Sequence, residues 1–186
     1  MALTSMVRAC GTQSVPGTKL VMYVAIISEL AATWPQTAAE LGGTDKGDTK
    51  ILGEAWDFSG AAAGAGYWRR YNVLVDTGQL RTLLEGEIGG NGYRQRLDVF
   101  LQGNGPVENE QADDFLGYSG CVIVMIGTKE GNYPVLGDLE NPVFVESAEG
   151  GSGGDRAGFQ YTFYANTGKT PQFYDVSLGI DETPNP

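Results

Sequence analysis

There is no histidine anywhere in this chain of 186 residues. Its absence excludes Ser-His-Asp and Cys-His nucleophile schemes, along with every zinc site built on imidazole. Cysteine is nearly missing as well: Cys10 and Cys121 stand far apart and form no spaced motif. Two such cysteines make neither a structural zinc site nor a disulfide framework, and they point to a reducing compartment rather than secretion. A single Cys10–Cys121 bridge remains open. Positive charge is scarce, with 12 Lys and Arg against 23 Asp and Glu, a formal net charge of −11. That balance argues against sequence-specific DNA binding and against anionic membranes, both of which need Lys and Arg. It suits a surface past which nucleic acid moves without sticking, although plain solubility is the commoner reason for such a charge. Long apolar runs are missing too. The segment "LVMYVAII" at 20–27 is too short to span a bilayer and is closed by Glu29, so the chain reads as soluble.

What the chain has in plenty is glycine, 28 residues against 8 prolines. Glycine supplies the positive φ that tight connections need, which suits a β-rich chain. The length is that of one domain able to bury roughly 70% of its unfolded surface.

Residues 1–17 end in Val15-Pro16-Gly17, a turn signal, and read as an N-terminal arm. Residues 18–27 form a β-rich run apolar enough to be covered on both faces. Residues 36–66 are Gly- and Ala-rich, a long connection of the kind that is usually functional or disordered, with one short strand candidate at 50–58. Residues 67–76 alternate, placing Tyr67, Arg69, Tyr71 and Val73 on one side and Trp68, Arg70, Asn72 and Leu74 on the other. Next come two hairpin arms, 79–88 and 93–102, about a Gly-Gly-Asn-Gly centre. A symmetric register sets Leu84 against Leu97, Thr82 against Val99 and Leu80 against Leu101 on one face. On the other it sets Glu87 against Arg94 and Glu85 against Arg96, charges that face either bulk water or a lumen.

Residues 107–118 are the helix candidate, with Asn109 as cap and Gly117 as stop. Strands follow at 121–126, 133–136 and from 142 to 147, then "EGGSGGDRAG" (149–158) as a flexible loop. Residues 159–166 alternate strictly, and a hairpin turn at 166–170 leads into 172–178. Residues 179–186 read as a tail. The order predicts a mainly β fold, an antiparallel β-sandwich or small barrel with one α-helix, as one domain over 18–178.

Few constellations could carry chemistry. Asp113 and Asp114 are adjacent, so on a helix they point about 100° apart, and a solvated first-turn pair outweighs a hydrolase or metal site. Asp45 and Asp48 flank a glycine but lack the frame of a calcium loop, which leaves a polar turn. "NTGKT" at 166–170 resembles a phosphate loop, yet Phe163 stands where its first glycine belongs. Trp56, Tyr67, Trp68 and Tyr71 could form a sugar platform, with core packing the commoner fate. Trp68 and Tyr164 lie on the more polar sides of their strands and are candidates for subunit contacts.

Taken together, an early strand after an arm, a long small-residue loop, the charged hairpin, the helix "ENEQADDFLGY", the strand "CVIVMIGT" and "DRAGFQYTFYANTGKTPQFY" have a familiar order. That order, over roughly 18–174, resembles the tail tube (major tail) proteins of long-tailed bacteriophages. The resemblance implies a β-sandwich subunit that closes into hexameric rings, stacked into a virion tail tube made in the host bacterial cytoplasm. It implies an acidic lumen through which DNA slides without binding. The arm and the 36–66 loop would link ring to ring and to other tail proteins. It implies no catalytic residue, no cofactor and no metal. A head decoration or head–tail joining protein shares these features, and a monomeric carbohydrate-binding β-sandwich is the alternative outside the virion.

Overall fold

A strand that is apolar at every position needs cover on both faces, and residues 21–26 and 122–126 find it at the middle of a six-stranded sheet. The computed structural model describes residues 21–45, 47–61, 66–74, 78–86, 92–103, 105–127, 133–153 and 156–182. The arm 1–17 with Cys10, Glu87, and residues 183–186 lie outside them.

The strands in chain order are β1 (Val21–Ile26), β2 (Ile51–Leu52), β3 (Arg69–Asn72), β4 (Gln79–Glu85) and β5 (Gly92–Gln102). After helix α1 (Pro106–Gly117) come β6 (Val122–Ile126), β7 (Tyr133–Leu136), β8 (Phe144–Gly153), β9 (Arg156–Thr167) and β10 (Gln172–Tyr174). One sheet runs β2-β10-β7-β6-β1-β3, and the other runs β4-β5-β9-β8. This is the expected mainly β sandwich with a single α-helix. The pairing is antiparallel except between β10 and β2.

Between the sheets, alternate residues of each strand interdigitate: Met22, Val24 and Ile26 on β1, Val122, Val124 and Ile126 on β6, Leu97, Val99 and Leu101 on β5, and Tyr161, Phe163 and Ala165 on β9. Helix α1 closes this core by inserting Phe115, whose ring lies 5.1 Å from both Tyr71 and Tyr161 and 5.6 Å from Phe163. Gln111 donates to the Tyr71 hydroxyl at 3.1 Å. The helix starts at Pro106, and the Gly105 amide is capped by the Glu108 carboxylate at 2.9 Å, not by Asn109. That earlier start moves Asp113 and Asp114 out of the first turn. Asp113 faces water and Asp114 is buried, so the pair is not a solvated one.

The other residues of β1 and β6 (Tyr23, Ala25, Ile123, Met125) face a second core, covered by the chain between 30 and 61 and by the C-terminal segment. The long connection is thus mainly a third layer. Its strand is two residues, Ile51–Leu52, and not the whole of 50–58. Asp45 and Asp48 do form a polar turn, in which the Asp45 amide donates to the Asp48 carboxylate at 2.9 Å. The tail is docked as far as Glu182: the Trp68 amide donates to the Asp181 carbonyl at 2.8 Å and the Tyr23 hydroxyl to Glu182 at 2.9 Å.

Two loops expected from the sequence are something else. Most of "EGGSGGDRAG" continues β8 and β9 as a ladder that reaches Gly153 opposite Arg156. Its glycines leave room for the Phe159 ring, which lies where a Cβ of Gly150 would project. The 166–170 segment is a crossing between sheets, not a hairpin turn, because β9 and β10 belong to different sheets.

Burial pushes the Tyr71 and Tyr161 phenols well above their ordinary value. A raised folded-state value means their contribution is complete below about pH 10 and is lost as the pH rises further. Alkaline absorbance should show these two phenols ionising together with loss of the circular dichroism signal, not before it.

Candidate functional site

The face of the four-stranded sheet that does not pack on the other sheet carries a network of charges spanning all its strands. Side chains alternate along a strand, so with Leu97 and Val99 inward, Arg94, Arg96 and Asp98 point outward from β5. Arg94 is the hub: it reaches Glu146 on β8 at 2.9 Å and Glu85 on β4 at 3.9 Å, and its guanidinium lies 4.6 Å from the centre of the Tyr164 ring. Arg96 pairs with Asp98 at 3.2 Å and with Glu146 at 3.6 Å. Thr162 on β9 donates to Asp98 at 2.7 Å.

Glu146 reaches both arginines because β8 bulges there. Val145 lies opposite Phe163 but Ser147 lies opposite Thr162, so Glu146 is the extra residue. Beside it Phe144 stacks on Tyr164, with ring centres 5.5 Å apart. Tyr164 is therefore on the outer face, part of an aromatic and guanidinium stack.

The hairpin register differs from the symmetric one. Leu80 lies opposite Leu97 and Glu85 opposite Gly92, a four-residue displacement on β5. The expected Leu84–Leu97, Thr82–Val99 and Leu80–Leu101 pairs are not formed, though the faces are the expected ones. Gly86, at φ 122°, takes the chain out of the strand earlier than the Gly-Gly-Asn-Gly centre implied. Glu85 consequently reaches Arg94 diagonally and not Arg96, whose partners are Asp98 and Glu146. Glu146 sits 52 residues from Arg94 and gave no local signal; only the bulge brings it in.

Trp68 is not on the surface. It is fully buried at 0% exposure, edge-on to Trp56 at 5.2 Å, and so cannot be a subunit contact. Tyr71 is buried as well, which dismantles the sugar platform. All three tryptophans gather in this second core, with Trp34 5.0 Å from Trp56. A cavity of about 350 Å³ there is lined by Trp56, Trp68, Tyr174 and the 178–181 segment. Among the described residues the buried indole N–H groups of Trp56 and Trp68 find no hydrogen-bond partner.

The outer-face network is partly solvated, which limits its energetic worth. Arg94→Ala is expected to cost less than about 2 kcal/mol, because exposed pairs contribute about 0.2–1 kcal/mol each. Denaturant titration at low and high salt checks this, and the loss should shrink as salt screens the pairs. Among the described residues no group of His, Cys, Asp and Glu is placed to hold a metal ion, and no helix is long and apolar enough to cross a membrane. No family model, curated protein or solved structure matches this chain.

Proposed function

We propose that this chain is a virion structural protein that self-assembles into the stacked rings of a phage tail tube, a conduit for DNA. One observation carries the reading: the four-stranded sheet ends in strands with no neighbour beyond them among the described residues. β4 overhangs the other sheet so far that Leu83 and Leu84, on opposite faces, are 46% and 61% exposed. Such an edge is a template for another chain. At the far side β8 is closed at its start, where Val143 donates to the Val122 carbonyl and Val145 to Ser119. Beyond the bulge, 147–153 has no strand on its outer side among the described residues. β4 and β8 run in opposite directions across the sheet, so head-to-tail copies would continue it as an antiparallel wall and could close a ring.

In such a ring the outer face would line the lumen with Arg81, Arg94 and Arg96 interspersed among Glu85, Asp98, Glu146 and Glu149. Among the described residues that wall sets three arginines against four carboxylates, less acidic than the lumen implied by the resemblance. Arg94 and Arg96 are occupied by carboxylates, so phosphate passing them meets few bare cations. Negative-stain electron microscopy of the concentrated protein tests the reading. Stacked rings or tubes are expected. Isolated rings would point to a head–tail joining protein, and a strictly monomeric population at high concentration would remove the proposal.

A further inference from the structure

The outward residues of β4 read Arg81, Leu83, Glu85, and that triplet is its own antiparallel complement. Lay a second copy of the strand against the first about a two-fold axis through Leu83. Arg81 then faces the second copy's Glu85, Leu83 faces Leu83, and Glu85 faces Arg81. On the opposite face Thr82 meets the second copy's Leu84, and Leu84 meets its Thr82. From these relations we infer that the free subunit forms a symmetric dimer through β4, joining two four-stranded sheets into one of eight strands.

Three features of the strand favour a second copy as the occupant. Its backbone edge is unpaired along Gln79–Glu85 among the described residues. Its leucines lie exposed on both faces, so adding a strand covers apolar surface above and below the sheet. Its charges are poorly used within the chain. Glu85 is half exposed and reaches Arg94 only at 3.9 Å, while Arg81 makes no ion pair among the described residues and donates to Gln79 instead. A two-fold seam satisfies both charges twice. The open part of β8 offers only Glu149 to Arg81, with no partner there for Glu85.

This dimer does not rest on the tube reading. The two readings compete for one edge, so the dimer would be the form in which the edge is held before a neighbour's β8 takes it.

A self-pairing position identifies a two-fold axis. In a Cys10→Ser/Cys121→Ser background, Leu83→Cys should oxidise to a disulfide-linked dimer at least ten times faster than Arg81→Cys. Residues directly opposite lie within disulfide reach, and Arg81 lies opposite Glu85. Equal rates, or no crosslinking at either position, would overturn the seam. Crosslinking of Leu83→Cys to a Ser147→Cys partner instead would assign the edge to head-to-tail pairing and also overturn it. Sedimentation gives an independent reading: Arg81→Glu and Glu85→Arg should each weaken the dimer at least tenfold, and the double variant should restore it to within about threefold. A double variant as weak as the singles would refute the charge pairing. Wild-type protein that dimerises but never forms tubes would leave the seam standing and remove the tube.

Discussion

Trp68→Ala is expected to lower the stability of the fold by about 3–5 kcal/mol, the range for removing a large aromatic side chain from a core. Trp68 is fully buried and meets Trp56 at 5.2 Å and Phe58 at 6.2 Å, both edge-on. These rings hold the 30–61 layer and the C-terminal segment against the six-stranded sheet, and the Trp68 amide itself binds the Asp181 carbonyl. The indole also lines a pocket open to solvent, so removing the ring deepens that pocket into the second core. Chemical denaturation of the monomeric protein measures the loss. A change below about 1 kcal/mol would mean that the neighbouring rings close over the space the indole leaves and that Trp68 does not hold the layers together.

Glu29→Gln should be comparably damaging, for an electrostatic reason. Arg69 on β3 is 4% exposed, and both ends of its guanidinium bond the Glu29 carboxylate at 2.7 Å, a two-pronged pair. Burial is the largest single influence on Arg69 and opposes its charge, but the hydrogen bonds and negative charge of Glu29, helped by Tyr67 and Tyr71, together outweigh it and keep the guanidinium protonated. Removing the carboxylate takes away the carboxylate bonded to this buried cation and leaves the Tyr67 carbonyl and ring beside it, and breaking such a pair typically costs about 3–5 kcal/mol. Replacing both partners by apolar residues, as in Glu29→Leu/Arg69→Met, should recover most of that loss, because the charge goes with its partner. Thermal and denaturant unfolding of the single and double variants checks both statements. A double variant no more stable than Glu29→Gln would show that the side chains act through shape and not charge.

Neither of these roles is legible in the sequence, and the reason is the same for both. Trp68 belongs to an alternating strand and lies on its more polar side (Trp68, Arg70, Asn72), which makes it a candidate for a subunit contact. The 30–61 layer covers that side, and nothing local to 67–76 reports a layer built from residues far along the chain. Glu29 closes an apolar run, and nothing beside it in the sequence points to a partner. Its partner lies 40 residues away. The network on the outer sheet face was partly legible: Arg94, Arg96 and Glu85 were placed on one face by alternation alone. Glu146 was not, since it reaches the arginines through a bulge that shifts the β8 register by one residue.

The hairpin shows where local pattern stops. Apolar alternation in 79–85 and 92–102 determines which side chains face the core, and those faces are the ones observed. A displacement of four residues leaves every face unchanged, so alternation cannot see it. The turn geometry at Gly86 and the pairing of β5 with β9 along ten residues decide it.

The sequence by itself determined a mainly β fold of sandwich or barrel type, a single helix, one strand within 18–27 covered on both faces, and the exclusion of histidine chemistry. Each of these follows from composition or from a period of two to four residues, which neighbouring side chains carry among themselves. Only the tertiary structure decided what covers the second face of the six-stranded sheet, which carboxylate each arginine meets, and which strand edge is left open. Those depend on contacts between residues tens of positions apart, where burial and register are set by the whole chain.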